Sequence, residues 1–276
     1  MVDLTYVKKR RRRKVTAIVT GVTGVLLIPF LILSFIGREI GHFNVALKNS
    51  KVALALSVDE ELKDTTTLIS LKDIPAYAVY SNDAINRYYT DEMIDTVSSN
   101  DQIGKRVNPN TNETSALYFF KYTFYVTNVG EMNACYDLKL SITDNKRPSN
   151  VNYSLDDILR VRWYENDKDS TAHNYVTYAK KSLTPHFNDG DTTPNYDTCI
   201  GANDSNGMCK DGYATQFEDD TVILSENINH FKVKDTKRYT LVMWLEGNDP
   251  EAFGTTPDET YLKLAINIEA YEEVNN

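Results

Sequence analysis

Few residues in this chain have the types and spacing that chemistry needs. Its four histidines, His42, His173, His186 and His230, fall in no His-Glu-x-x-His run and in no other zinc-ligand spacing. A Gly-x-Ser-x-Gly elbow, a phosphate-cradling glycine loop and a dinucleotide fingerprint are all missing. Asp189-Gly190-Asp191 and Asp204-Ser205-Asn206-Gly207 have the oxygen-rich look of calcium loops. However, Met208 stands where the fifth position needs an oxygen, and the closing glutamate is absent. Turn chemistry alone explains those residues, so calcium is a weak alternative to the expectation of no cofactor. The acid pairs Asp219-Asp220 and Glu272-Glu273 would suit general acid–base hydrolysis, but neighbouring carboxylates arise by chance in so acidic a chain. No catalytic, cofactor-binding or metal site is expected.

The three cysteines carry more. Cys199 and Cys209 bracket a polar loop of a length that a bridge can close, and this pair is expected to form a disulfide. Cys135 is left over, and its strand register points it away from the apolar face. Solvent, a second layer and an intermolecular partner remain open to it. Asn112, Asn152 and Asn203 begin Asn-x-Ser/Thr acceptors, which matter only in a cell that glycosylates them.

The frame for these residues is set near the N-terminus. Lys8 to Lys14 is an unbroken basic run, and Val15 to Gly37 follows it without a charge. At 1.5 Å per residue such a helix spans roughly 34 Å, enough for a hydrocarbon core of about 30 Å. A cleaved signal peptide would have a shorter apolar core and a small-x-small site directly after it; here Gly37-Arg38-Glu39 follows. Residues 15–37 are therefore expected to be an uncleaved signal-anchor in the lipid bilayer. The basic residues keep the N-terminus cytoplasmic and place the rest outside. Ala17, Gly21 and Thr20, Gly24 form small-x-x-x-small pairs on this helix.

The whole chain has 30 Lys+Arg and 39 Asp+Glu; beyond residue 37 the balance is 23 against 38. That acidity argues against nucleic acid as a partner. Hydrophobic alternation beyond the anchor has the period of strands. Val52, Leu54, Leu56 and Val58 form one, with further strands at 65–71 and 76–80 and a short helix at 90–97. Phe120, Tyr122, Phe124 and Val126 share a face. After the turn Asn128-Val129-Gly130-Glu131, so do Ala134, Tyr136, Leu138, Leu140 and Ile142, which reads as a hairpin. Ser154-Leu155-Asp156-Asp157 reads as a capped turn. Leu159, Val161 and Trp163 alternate with Arg160, Arg162 and Tyr164. Later strands are expected at 175–180, 239–246 and 261–271, with a long irregular loop at 184–220. The expected organisation is a basic cytoplasmic tail (1–14), the membrane helix (15–37), a stalk and first strand (38–50), and a single mainly-β sandwich of jelly-roll or immunoglobulin-like type (51–273).

One stretch goes beyond composition. Tyr239 to Glu251, with Trp244, Glu246, Gly247, Asp249 and Pro250, resembles the penultimate strand and turn of membrane-anchored surface proteins of Gram-positive-type bacteria and mollicutes. Gly41 to Val45, Ala53 to Ser57, Tyr122 to Gly130 and Leu159 to Tyr164 fit the same layout in order. More distantly the chain is similar to camelysin and TasA-like surface and biofilm-matrix proteins. That likeness implies an exported jelly-roll able to associate by strand exchange. The chain departs from it in its uncleaved anchor and in the 184–220 loop, and camelysin's protease activity has no metal motif here to rest on. The nearer group supplies no function to carry over. Read physically, Trp244 is expected to be buried and Glu246 to Pro250 to form a self-bonded turn.

These readings converge on a membrane-tethered extracytoplasmic structural or interaction protein, without enzymatic activity, whose protein partner is unnamed. An accessory subunit of a membrane transporter or other complex, and a wall or peptide hydrolase, are the alternatives.

Overall fold

The computed structural model describes residues 39–47, 52–63, 65–66, 68–72, 80–96, 105–107, 114–117, 119–146, 153–185, 187, 192–205, 207–252 and 260–273. The expected membrane helix, the calcium-like Asp189–Asp191 run and most of the strand expected at 76–80 lie outside them. No helix among the described residues is long and apolar enough to cross a membrane.

The architecture is mainly β. In chain order the strands are β1 (Glu39–Leu47), β2 (Leu54–Ser57), β3 (Thr65–Thr66) and β4 (Leu68–Lys72). After two short helices, α1 (Asn82–Tyr88) and α2 (Asp91–Thr96), come β5 (Lys105–Val107), β6 (Thr114–Leu117), β7 (Phe120–Asn128) and β8 (Ala134–Lys146). Then follow β9 (Leu159–Asp167), β10 (Tyr175–Ala179), β11 (Thr215–Gln216), β12 (Val222–Phe231), β13 (Thr236–Leu245) and β14 (Tyr261–Glu272). One sheet has the order β12-β8-β14-β1-β4 and the other β11-β10-β9-β13-β7-β2-β3; β5 and β6 pair separately. β1 lies within the stretch read as a stalk and first strand, and it runs parallel to β14 with Phe43 opposite Ile266 and Leu47 opposite Ala270.

The alternation seen in the sequence builds the core between the sheets. Leu138, Leu140, Ile266 and Ile268 from the first sheet join Phe124, Val126, Val161, Trp163 and Leu241 from the second in one apolar cluster. Burial of each large side chain is worth about 1.5–3 kcal/mol. The Tyr136 and Tyr239 hydroxyls meet at 2.7 Å across the layers, so both aromatic rings bury without an orphaned hydroxyl.

The structure departs from the sequence reading, or narrows it, in three places. First, β7 and β8 do not form a hairpin: β7 pairs with β13 and β2, whereas β8 pairs with β14 and β12. The Asn128–Glu131 turn carries the chain from one sheet to the other, and both apolar faces meet across the core. Asn128 fixes this arch: its side-chain amide donates to the Met132 and Phe231 carbonyls, both at 2.9 Å, and accepts from Gly130 N–H at 3.0 Å. Second, β12 and α1 have no counterpart in the sequence reading. β12 is an edge strand with bulges at both ends and His230 at φ 57°, features that discourage a further strand from adding there. Third, Cys135 is a free thiol but a buried one, opposite Tyr271 on β14, so its place is not solvent.

Candidate functional site

In β9 the residues alternating with Leu159, Val161 and Trp163 are charged or polar, a pattern that ordinarily marks a solvated face. Here that face is covered. Arg160, Arg162 and Arg238 are each buried, and Ile85 of α1 and Ile94 of α2 pack with Phe119, Tyr164, Val242 and Trp244 in a second, smaller core over the outer face of the seven-stranded sheet. A buried guanidinium stays ionised and must find acceptors. Arg162 donates to the Asn82 and Asn86 side-chain oxygens, both at 2.8 Å, and lies 4.6 Å from the Tyr175 ring centre and 5.5 Å from that of Trp244. Arg238 donates to Asp95 at 2.7 Å, and the same carboxylate oxygen takes Asn166 at 3.1 Å and His173 at 2.9 Å.

The turn from Glu246 to Pro250 sits at the end of this layer. Glu246, fully buried, accepts from the Asn82 backbone N–H (2.9 Å), the Trp244 indole (2.8 Å), and the Asn248 backbone and side chain (3.1 and 3.0 Å). Gly247 donates its N–H to the Tyr80 carbonyl at 2.6 Å, which stitches the turn to the segment before α1. Trp244 is 1 % exposed. Pro250 lies at the turn's outer side, where it lines a cleft of about 60 Å³.

That cleft separates the turn from the loop holding Cys199 and Cys209, which are bonded to each other with Cα atoms 5.2 Å apart. Arg160, Ser182, Thr184, Asp197, Asn203 and Asp249 also line it. Arg160 donates to the Cys199 carbonyl at 2.9 Å and to Asp249 at 2.5 Å. Burial, followed by a hydrogen bond to Glu251, pushes Asp249 up to about 7 against the pull of Arg160. Burial alone would raise Glu251 too. The hydrogen bonds it receives from Asp249 and from the Thr184 N–H (2.7 Å) outweigh that and hold it low. Just below neutral pH, Asp249 and Glu251 therefore share one proton, and the pair balances Arg160 with one negative charge. The arrangement is a neutralised structural junction between turn, strand and loop.

A second carboxyl pair lies between the sheets. Glu226 of β12 hydrogen-bonds Glu165 of β9, and burial, with the Glu165 charge next, pushes Glu226 up to about 8. Lys237 holds Glu165 at 2.5 Å.

The remaining sequence candidates are dispersed. Asp219 receives the Thr221 and Val222 N–H groups at 2.7 and 2.8 Å, which hold it below the usual carboxylate range and make it a turn cap. His230 contacts Glu273, and Asp204 takes the Met208 N–H at 2.9 Å. Among the described residues no group of three or more His, Cys, Asp or Glu is close enough to hold a metal ion. The buried arginines and Asp95 escaped sequence reasoning. The available signal was Arg at alternate positions beside aromatic residues in a strand.

No protein-family model and no curated protein matches this chain.

Proposed function

We propose that this chain is a membrane-tethered extracytoplasmic protein with a structural or interaction role at the cell surface. Residues 15–37 span the bilayer, the N-terminus is cytoplasmic, and a jelly-roll or immunoglobulin-like sandwich stands outside. The observation that carries this reading is the Cys199–Cys209 disulfide, which belongs to an oxidising compartment rather than to a cytosol that keeps thiols reduced. The uncharged run behind a basic block and the acidity of the remainder support the same placement. The groups with chemical potential are engaged with one another: Arg160 with Asp249, Arg238 with Asp95, Glu246 with four N–H donors. Such a layer supports a body built for shape and contact. The resemblance to membrane-anchored surface proteins points the same way.

Intact cells provide the test. A protease that cannot cross the membrane should shave the sandwich from the surface, and Cys199 and Cys209 should take an alkylating mass tag only after reduction. Protection of the sandwich until lysis, with both cysteines tagged without reductant, would refute the placement.

A further inference from the structure

The disulfide closes more than its own loop. Thr198 to Ala214 is a small hairpin in which Cys199 bridges Tyr213 and Asn203 bridges Cys209. Ile200 N–H donates to the Gly212 carbonyl at 3.1 Å and Ala214 N–H to the Thr198 carbonyl at 2.8 Å. This hairpin grips α1. Asp211 accepts the Asn82 side-chain amide at 2.7 Å, and Lys210 reaches Asp83 at 3.1 Å. Gly201 comes so close that a Cβ added there would stand 2.9 Å from the Asn82 Cβ. Asn82 in turn holds Arg162 through its side-chain oxygen and Glu246 through its backbone N–H. A chain of direct contacts thus runs from the bridge to the buried arginine layer, and α1, at seven residues, is too short to hold itself in place.

We propose that the Cys199–Cys209 bond is a redox latch that keeps α1 seated over Arg162, and that a thiol reductant releases this face of the sheet. The reaction is an exchange: a dithiol gives two electrons and two protons, the bridge becomes two thiols, and the reductant leaves as its own disulfide. Both cysteines are only half-buried, so a small dithiol has access to them. Without the bridge the hairpin depends on a short two-stranded ladder, which is marginal in water. The grip on Asn82 then loosens, while the main core between the sheets has no part in the hairpin. The inference rests on these contacts and not on the surface role proposed above.

Hydrogen exchange on the purified full-length protein, with and without dithiothreitol, tests it. Reduction is expected to raise amide exchange across 82–89 and 199–213 by about tenfold or more, while β8 and β13 keep their protection. The Asp211→Ala variant, with the bond intact, should reproduce the loosening of 82–89. Unchanged exchange at 82–89 on reduction would overturn the latch. So would loss of protection throughout, which would make the bridge a staple for the whole fold. An Asp211→Ala variant with wild-type exchange at 82–89 would overturn the route through Asn82.

Discussion

Replacing Glu226 by Gln tests whether the two sheets meet around a shared proton. With a folded pKa of about 8 against an ordinary 4.5, Glu226 stays protonated in the folded protein and ionises in the unfolded chain across the interval between them. The folded state therefore binds more protons there. This group's contribution is fully present below about pH 4.5 and is lost as pH rises through about 8. The slope is roughly 1.4 kcal/mol per pH unit, or about 4 kcal/mol between pH 5 and pH 8. Glutamine keeps a donor towards Glu165 and cannot ionise. The variant should match the wild type near pH 5 and exceed it by about 3–4 kcal/mol near pH 8.5. Urea unfolding followed by the emission of Trp163 and Trp244, both buried, reads this directly. Asp249 is also raised and slopes the same way, but it is present in both proteins, so the difference isolates Glu226. Parallel stability–pH curves for the two proteins would refute the shared-proton account.

Other changes have equally definite outcomes. Asp249→Ala leaves the buried Arg160 without its acidic partner and should cost about 3–5 kcal/mol, read as a lowered urea midpoint. Glu246→Ala strips acceptors from four N–H groups, including the Trp244 indole; a loss of at least about 3 kcal/mol is expected, with a shift in indole emission in whatever native state remains. Cys135, buried and free, should resist a bulky maleimide in the native protein and react fully in denaturant.

Period-two alternation identified most of the long strands because each has one face in the common core, as in β8, β9, β13 and β14. It could not say which sheet a strand joins. Phe120 to Ile142 has the same apolar pattern whether the Asn128 turn closes a hairpin or arches over the core, and the long-range bond from Asn128 to the Phe231 carbonyl decides the matter. β12 stayed hidden because its buried start, Val222 to Leu224, does not alternate and its second half, Glu226 to His230, is largely polar and bulged. Trp244 and the turn from Glu246 to Pro250 were legible as structure, since an aromatic strand ending in Gly, Asp and Pro implies its own hydrogen bonds. Arg160, Arg162 and Arg238 were not, because an alternating charge looks the same beneath a helix as it does beneath water. What covers them is scattered along the chain: α1 lies over Arg162, Asp95 of α2 holds Arg238, and the Cys199 loop and the Asp249 turn enclose Arg160.

The parallel pairing of β1 with β14 has a mechanical consequence. In a parallel pair the beginning of one strand and the end of the other lie at opposite ends. Tension applied between Glu39 and Glu272 therefore pulls the two strands lengthwise past each other. The ladder from Phe43–Ile266 to Leu47–Ala270 then shares the load, instead of peeling open one rung at a time. With β14 also paired antiparallel to β8 along its whole length, a tug at both ends of the sandwich meets the sheet in its stiffest direction.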